Sequence, residues 1–135
     1  MTRLLIIDDH AVVRQGLIQA FHDKGFASIE TAGTLKEARA KIAAFSPEAI
    51  IIDLNLPDGS GLEVVQWVRK FSPDIAIIIL SLNDPAQFVK IARSSGANAY
   101  LSKSQSMSEI ISSINFALSH PGSFTSTITA DKPLD

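Results

Sequence analysis

The chain has 135 residues, 46% of them apolar, which suits one packed domain and leaves no room for a second. A formal net charge of −2, without a Lys/Arg cluster, argues against direct binding of DNA or an anionic membrane. The lack of cysteine excludes disulfides and thiolate chemistry, and no apolar run is long enough for a signal peptide or a membrane span, so we expect a soluble cytoplasmic protein.

A strand and a helix are indicated at the start of the chain. The apolar run 4–7 ends in Asp8 and Asp9, which is typical of a buried strand that ends in a loop. Apolar residues recur at helical intervals over residues 10–24, and Gly25 follows as a stop signal. A buried strand and an amphipathic helix are therefore predicted.

The second strand and helix have different signals. Residues 27–32 mix apolar and polar side chains, which is typical of an edge strand with one wetter face. Thr34 and Glu37 have the spacing of a capping box at the start of a helix, which Ser46 and Pro47 end.

The segment 49–61 organises the rest of the prediction. Four apolar residues, three of them isoleucine, lead into Asp53, and turn formers up to Gly61 follow. This pattern predicts a buried parallel strand with Asp53 at its carboxyl end, where open α/β sheets have their ligand crevice. For Asp53 alone, a turn starter or a helix cap is the simpler explanation.

The third and fourth helices flank the most apolar run of the chain. Residues 62–71 have helical periodicity, and residues 75–81 are predicted as a central strand. Asp84 and Pro85 predict the start of a helix that ends near Ser95 and Gly96. Because its apolar stripe is thin, we expect this helix to be loosely held and partly exposed. The stripe consists of Phe88, Ile91 and Ala92.

The chain closes with a strand, a helix and a tail. Residues 98–101 predict a short strand before Lys103, and Ser106 to Glu109 is a second capping box that begins a helix up to residue 118. Residues 121–135 are rich in Ser, Thr and Pro without periodicity, and are predicted to be a linker or disordered tail. The domain would therefore span residues 1–120.

The predicted elements alternate as strand and helix five times. Strict alternation implies a parallel sheet with right-handed crossovers and helices on both faces. We predict a flavodoxin-like, doubly wound α/β fold, (βα)5, with a five-stranded parallel sheet in the order 2-1-3-4-5. This order places the wetter second strand at an edge.

Polar side chains follow four of the predicted strands and would meet at one edge of the sheet. Two carboxylates about 5 Å apart repel by roughly 3 kcal/mol at an effective dielectric near 20, so such a cluster favours a bound cation. Mg²⁺ suits carboxylate and carbonyl ligands and bridges to phosphoryl oxygens, while an amine and a hydroxyl would hold the other oxygens. The pattern predicts a phosphoryl site. Its candidate residues are Asp8, Asp9, Asp53, Ser81 and Lys103.

Each of these residues also has an ordinary explanation as a cap, a backbone partner or a solvated side chain. Their joint occurrence at four strand ends favours the site. His10 is interpreted as a first-turn residue rather than a ligand, and Trp67 as a packing or interface residue rather than a cofactor platform. No chemistry is assigned to His22 or His120.

The sequence has four motifs in the order of the predicted strands: Asp8-Asp9-His10, Asp53-Leu54-Asn55-Leu56-Pro57 with Gly61, Ser81, and Tyr100-Leu101-Ser102-Lys103. In this order and spacing, the motifs resemble the receiver domain of two-component response regulators over residues 1–120. The wording of residues 8–17, Asp8-Asp9-His10-Ala11-Val12-Val13-Arg14-Gln15-Gly16-Leu17, together with that of residues 53–57, is similar to the NarL/LuxR-type branch, whose members usually continue into a helix-turn-helix DNA-binding domain. DNA would then be bound through such a domain. Two alternatives stay open for this chain: a truncated part of a longer regulator, or a stand-alone receiver.

The resemblance implies a role for each acidic residue. Asp53 would take a phosphoryl group from a histidine kinase phosphohistidine. Asp9 would bind Mg²⁺ directly and Asp8 largely through water, and the Asn55 carbonyl would be a further protein ligand beside Asp53. Such a chain is a phosphoacceptor rather than an enzyme, with slow autodephosphorylation at most.

The resemblance also implies a switch. Ser81 and Lys103 would hold the new phosphoryl oxygens, and the inward movement of Ser81 would let Tyr100 turn inward. The surface around the fourth and fifth helices would then change, and a phosphorylation-dependent homodimer and altered transcription are implied outputs.

Two departures bear on how well this chain fits the family, and two asparagines bear on hydrolysis. Ser104 stands where many receivers have a cis proline, so the peptide there is either cis or trans. Leu82 is bulkier than the small residue often found after the hydroxyl, which would reduce access of small phosphodonors. We hypothesise that Asn55 and Asn83 place or block the hydrolytic water.

Alternative functions remain open from sequence. A degenerate receiver would act as a constitutive protein-interaction module without phosphotransfer. A Mg²⁺-dependent phosphatase would need a second acid two residues after its nucleophile, where Asn55 stands. A flavin-binding domain would need a phosphate loop after the first strand, where Asp8 and Asp9 carry the wrong charge.

Overall fold

The computed structural model describes residues 2–82 and 86–126. The described chain contains the helices α1 (Ala11–Asp23), α2 (Leu35–Phe45), α3 (Gly61–Arg69), α4 (Ala86–Ser95) and α5 (Met107–Ser119). Its strands are β1 (Arg3–Ile7), β2 (Ser28–Ala32), β3 (Ala49–Asp53), β4 (Asn55–Leu56), β5 (Gly59–Ser60), β6 (Ala76–Ser81), β7 (Ala99–Ser102) and β8 (Thr125–Ser126).

The main sheet is parallel throughout, in the order β2-β1-β3-β6-β7-β8. Its first five strands have the predicted order, and the more polar β2 lies at an edge as expected. Two features were not predicted: the short antiparallel pair of β4 and β5, and the sixth strand.

The sixth strand corrects the prediction for the tail. Ala99 pairs with Thr125 and Tyr100 with Ser126, so residues 121–126 are not a free linker. Phe124 also packs, partly buried, against the core. β8 is held by backbone hydrogen bonds to β7, so its side chains need not be apolar. Because they are polar, the sequence has no apolar pattern that predicts this strand. Residues 127–135 lie outside the described residues.

The core forms two layers, one on each face of the sheet. Alternate residues of the central strands point to opposite faces: Ile50 and Ile52 pack with α2, α3 and α4, whereas Ile51 packs with α1 and α5. This explains why β1, β3 and β6 are continuous apolar runs. In the described part of the chain, no helix has the length and apolar character needed to cross a membrane.

Most of the predicted helix signals are present. Thr34 Oγ1 accepts a hydrogen bond from Glu37 N at 3.0 Å, and Gly25 has a φ of 92° after α1. A further capping box joins Ser60 and Glu63 at the start of α3, with spacing that is visible in the sequence but was not used. The predicted cap at Asp84 lies outside the described residues.

The apolar face of α4 differs in detail from the prediction. Ala92 is buried and Phe88 is partly buried, but Ile91 is 42% exposed. Val89, which the predicted stripe omitted, is buried in its place. The helix is therefore partly exposed, as expected, with a face rotated from the predicted one.

Candidate functional site

Four strands deliver the predicted site residues to one edge of the sheet. Asp8 follows β1, Asp53 ends β3, Ser81 ends β6 and Lys103 follows β7. The strand register aligns these ends, because Asp53 pairs with Leu80 and Ser81 with Ser102. A parallel sheet thus brings together residues that are up to 95 positions apart, from Asp8 to Lys103.

Lys103 is the central cation of this site. Its Nζ lies 2.9 Å from Asp8 Oδ2 and 2.9 Å from Asp53 Oδ2. The Lys103 amide also donates to the Ser81 carbonyl oxygen at 2.8 Å, which fixes the start of the lysine side chain beside β6. One ammonium therefore neutralises part of the charge of two acids.

The acids differ in exposure. The side chains of Asp8 and Asp53 are 2% and 3% exposed, whereas that of Asp9 is 37% exposed. Three carboxylates face one ammonium, so the site carries excess negative charge with its accessible side at Asp9. Buried carboxylates of this kind are stabilised by an additional cation.

The donor set fits a hard divalent cation. Ligand atoms of Asp8, Asp9, His10 and Asp53 all lie within 4.8 Å of one another. Carboxylate oxygens are the preferred ligands of Mg²⁺. The acidic cluster of the described chain could therefore hold a metal ion.

His10 is closer to the site than its sequence interpretation suggested. It is the residue before α1, but its Nδ1 lies 2.9 Å from Asp8 Oδ1 and 3.1 Å from Lys103 Nζ. The Asp8 carboxylate also accepts from the His10 backbone amide at 2.8 Å. A histidine directly after two acids at a strand end is the sequence signal for this contact.

The remaining predicted residues are placed as follows. The backbone N–H of Asn55 donates to Asp53 Oδ1 at 3.1 Å, and the Asn55 residue is exposed in β4. Ser81 is fully buried. The described residues contain no cis peptide, so the bond after Lys103 is trans, and Ser104 N donates to Ser102 Oγ at 3.1 Å. Asn83 lies outside the described residues.

Tyr100 is already inside the protein. Its side chain has no exposed surface and belongs to the core layer formed with α2, α3 and α4. The inward position that the resemblance assigned to the phosphorylated state is thus occupied in this structure.

Two structural supports were not predicted: Asp58, between β4 and β5, and Gly61, the first residue of α3. The Asp58 carboxylate accepts from the amides of Leu35 and Lys36, at 2.8 and 3.2 Å, and so caps α2. The Leu35 amide hydrogen bond is the main cause that lowers the pKa of Asp58. Gly61 N donates to the Leu54 carbonyl oxygen at 2.8 Å, and a side chain at Gly61 would collide with the Asp53 carbonyl oxygen.

Comparison with known families agrees with this geometry. The family model described as the response regulator receiver domain matches residues 4–115. The chain belongs to the response regulator receiver family. Trp67, which packs edge-on against Phe71 with ring centroids 5.1 Å apart, has the packing role predicted for it in this receiver.

Curated relatives of the receiver are transcriptional regulators. KdpE of Escherichia coli, the KDP operon transcriptional regulatory protein, is 34% identical over 134 residues, which cover 99% of this chain and 57% of KdpE. The oxygen regulatory protein NreC of Staphylococcus carnosus is 33% identical over 115 residues, covering 83% of this chain and 52% of NreC. The chain thus spans about half the length of these relatives.

Solved structures include members of the LuxR family. A LuxR-family response regulator from Aurantimonas superposes with a TM-score of 0.84 at 25% identity, covering 95% of this chain and 90% of that chain. The beryllofluoride-activated NtrC4 receiver domain dimer gives 0.82 at 28% identity, covering 88% and 98%. The predicted fold and the resemblance to the NarL/LuxR-type branch are confirmed.

Proposed function

We propose that this receiver accepts a phosphoryl group on Asp53 from the phosphohistidine of a sensor histidine kinase. The observation that carries the proposal is the position of Lys103 Nζ, 2.9 Å from Asp53 Oδ2 and beside two further acids. A buried carboxylate held by an ammonium at a strand end suits a nucleophile whose product needs charge stabilisation.

The chain's own residues would carry the transfer. An Asp53 carboxylate oxygen attacks phosphorus, the bond from phosphorus to the imidazole nitrogen breaks, and its electron pair stays on that nitrogen. Lys103 exchanges its contact with the Asp53 carboxylate for one with a phosphoryl oxygen, and Ser81 donates a hydrogen bond to another. The backbone N–H of Asn55, 3.1 Å from Asp53 Oδ1, restrains the side chain of the phosphoacceptor Asp53.

We assign the metal of this site as Mg²⁺. The carboxylates of Asp8, Asp9 and Asp53, together with the carbonyl of Asn55, would hold it. When bound, Mg²⁺ supplies positive charge opposite the phosphoryl oxygens. The position of His10 Nδ1 in the same cluster adds a possible nitrogen donor, which is a softer ligand than carboxylate oxygen.

The consequence of phosphorylation would be a signal rather than turnover of an external substrate. In this proposal Ser81 responds to the phosphoryl group, and the surface of α4, β7 and α5 changes. Because Tyr100 is buried already, its movement from solvent is not required. The output would be phosphorylation-dependent dimerisation and transcription control through a separate helix-turn-helix domain, consistent with the regulators among its relatives.

Intact-mass measurement after incubation with Mg²⁺ and acetyl phosphate tests the proposal. We expect one added phosphoryl group on the wild type, dependent on Mg²⁺, and none on Asp53→Ala. Asp58→Asn is the matched control, because Asp58 lies in the neighbouring loop and contacts α2 instead of the acidic cluster. It should be phosphorylated like the wild type.

A negative result with acetyl phosphate is resolved by a second donor. Leu82 lies beside Ser81 and is 68% exposed. Phosphorylation that appears only in Leu82→Ala, or only with a phosphorylated histidine kinase as donor, would show that small donors are hindered at Leu82. No phosphorylation from the kinase either would support the degenerate receiver and contradict the proposal.

A further inference from the structure

A second cleft lies at the opposite edge of the sheet from the acidic cluster. Its volume is about 340 Å³, and it opens near the amino ends of β6 and β7, between the last turns of α3 and α4 and the segment before β8. The residues that matter for its chemistry are Arg69, Arg93, Asn98, Ser123 and Phe124.

Arg69 brings a guanidinium charge to this cleft. Its guanidinium donates to three neutral acceptors: the carbonyl oxygens of Gly96 and Ser72, at 2.8 and 3.1 Å, and Asn98 Oδ1 at 3.0 Å. Burial lowers the pKa of Arg69, and the nearby charge of Asp74 only partly opposes this. A guanidinium has five N–H groups, so two remain for another acceptor.

Arg93 adds a second guanidinium from α4. It lies over the Phe124 ring, 5.8 Å from the ring centroid. Within residues 2–82 and 86–126, no carboxylate forms an ion pair with Arg69 or Arg93, although five ion pairs of other Lys or Arg residues occur there. The cleft is therefore positive on a chain whose net charge is −2.

Ser123 supplies an independent observation. Its Oγ is buried, and no residue within the described ranges forms a hydrogen bond with it. The Ser123 backbone is paired, because its carbonyl oxygen accepts from Asn98 Nδ2 at 3.0 Å and its N–H donates to the His120 carbonyl oxygen at 3.1 Å. Its hydroxyl is therefore the group that the described part of the chain leaves unpaired in this cleft-lining residue. Buried polar groups nearly always have a partner. In a cleft lined by two guanidinium groups, a bound anionic oxygen would accept a hydrogen bond from this hydroxyl as well.

We propose that this cleft binds a small oxyanion, carried by a phosphate or carboxylate compound, through Arg69, Arg93 and the Ser123 hydroxyl. Planar guanidinium groups match the paired oxygens of either anion. The site lies apart from Asp53, so it would bind independently of phosphotransfer.

Amide NMR of the whole chain without Mg²⁺ tests this site. Inorganic phosphate and succinate are titrated separately at constant ionic strength, while the signals of Gly96, Gly122 and Ser123 are followed. We expect saturable shifts with at least one probe, which also tells whether phosphate or carboxylate is preferred. Arg93→Gln should weaken binding about tenfold, through loss of a charge-assisted contact.

Lys90→Gln is the matched control, because Lys90 is exposed on α4 and is not part of the cleft. It should change the affinity by less than about twofold. Ser123→Ala provides a second variant that keeps both charges and should also weaken binding. The proposal is overturned if neither probe gives saturable shifts at these amides, or if Lys90→Gln weakens binding as much as Arg93→Gln. Phosphorylation of Asp53 is measured separately and does not decide this result.

Discussion

Lys103 Nζ lies 2.9 Å from Asp53 Oδ2, and both side chains are only 3% exposed. The same ammonium is 2.9 Å from Asp8 Oδ2. A single cation therefore holds two buried carboxylates together before any metal binds. This arrangement couples the stability of the receiver to the binding of a metal ion at its acidic cluster.

Lys103→Met should destabilise the metal-free protein by about 3 kcal/mol, because it leaves two buried carboxylates without their cation. Added Mg²⁺ should stabilise this variant more than the wild type, since the metal binds the folded state and replaces the missing charge. Denaturation with and without Mg²⁺ measures both effects. Lys90→Met on exposed α4 is the control, and an equal Mg²⁺ effect in Lys103→Met and wild type would contradict the coupling.

The cap that Asp58 provides to α2 predicts a pH dependence. The pKa of Asp58 is lowered in the folded state, chiefly by the Leu35 amide, so its contribution is present at neutral pH and is lost as acid protonates it. Asp58→Ala should be less stable than wild type at pH 7, and the difference should shrink below about pH 4. Denaturation at several pH values measures this. Asp58→Asn keeps an acceptor and should show a smaller loss; a difference independent of pH would refute the prediction.

Asn98 links elements that are far apart in the sequence. Its Oδ1 accepts from Ile77 N at 2.9 Å and from Arg69 at 3.0 Å, and its Nδ2 donates to the Ser123 carbonyl oxygen. Asn98→Ala should cost about 3 kcal/mol, because it leaves buried donors unsatisfied. Asn98→Asp retains both acceptor contacts but loses the hydrogen bond to Ser123 and turns a carboxylate oxygen toward its carbonyl oxygen, so it should cost less than Asn98→Ala without matching the wild type. Urea denaturation compares the two variants, and equal losses would contradict this role.

Gly61 allows α3 to begin directly against the phosphoacceptor strand. A Cβ at this position would overlap the Asp53 carbonyl oxygen, so Gly61→Ala must displace backbone and should destabilise the receiver by about 2 kcal/mol or more. Phosphorylation of Asp53 should slow as well. Gly16→Ala in α1 is the control, since its Cβ would meet only Met107 Cε at 3.4 Å and Ala favours helix. Thermal unfolding that ranked Gly16→Ala as the more damaging change would contradict the prediction.

The five β-α units and the chemistry at the strand ends were predictable from sequence. Continuous apolar runs such as residues 49–52 mark strands buried on both faces, and parallel strands share one carboxyl edge. Asp53, Ser81 and Lys103 could therefore be brought together without coordinates. The identities and order of the motifs then allowed the family to be recognised.

The tertiary structure decided the contacts that no local pattern encodes. Asp58 caps a helix that begins 23 residues earlier, and Asn98 reaches both Arg69 and Ser123. The strand Thr125–Ser126 pairs through its backbone, so its polar side chains carry no signal of it. Periodicity reports which face of a helix or strand is buried, whereas a long-range polar contact depends on where folding places the two residues that form it. The sequence by itself thus determined the architecture and the acidic site. The packing of loops and helix ends against that architecture determined the long-range contacts of Asp58 and Asn98 and formed the second cleft.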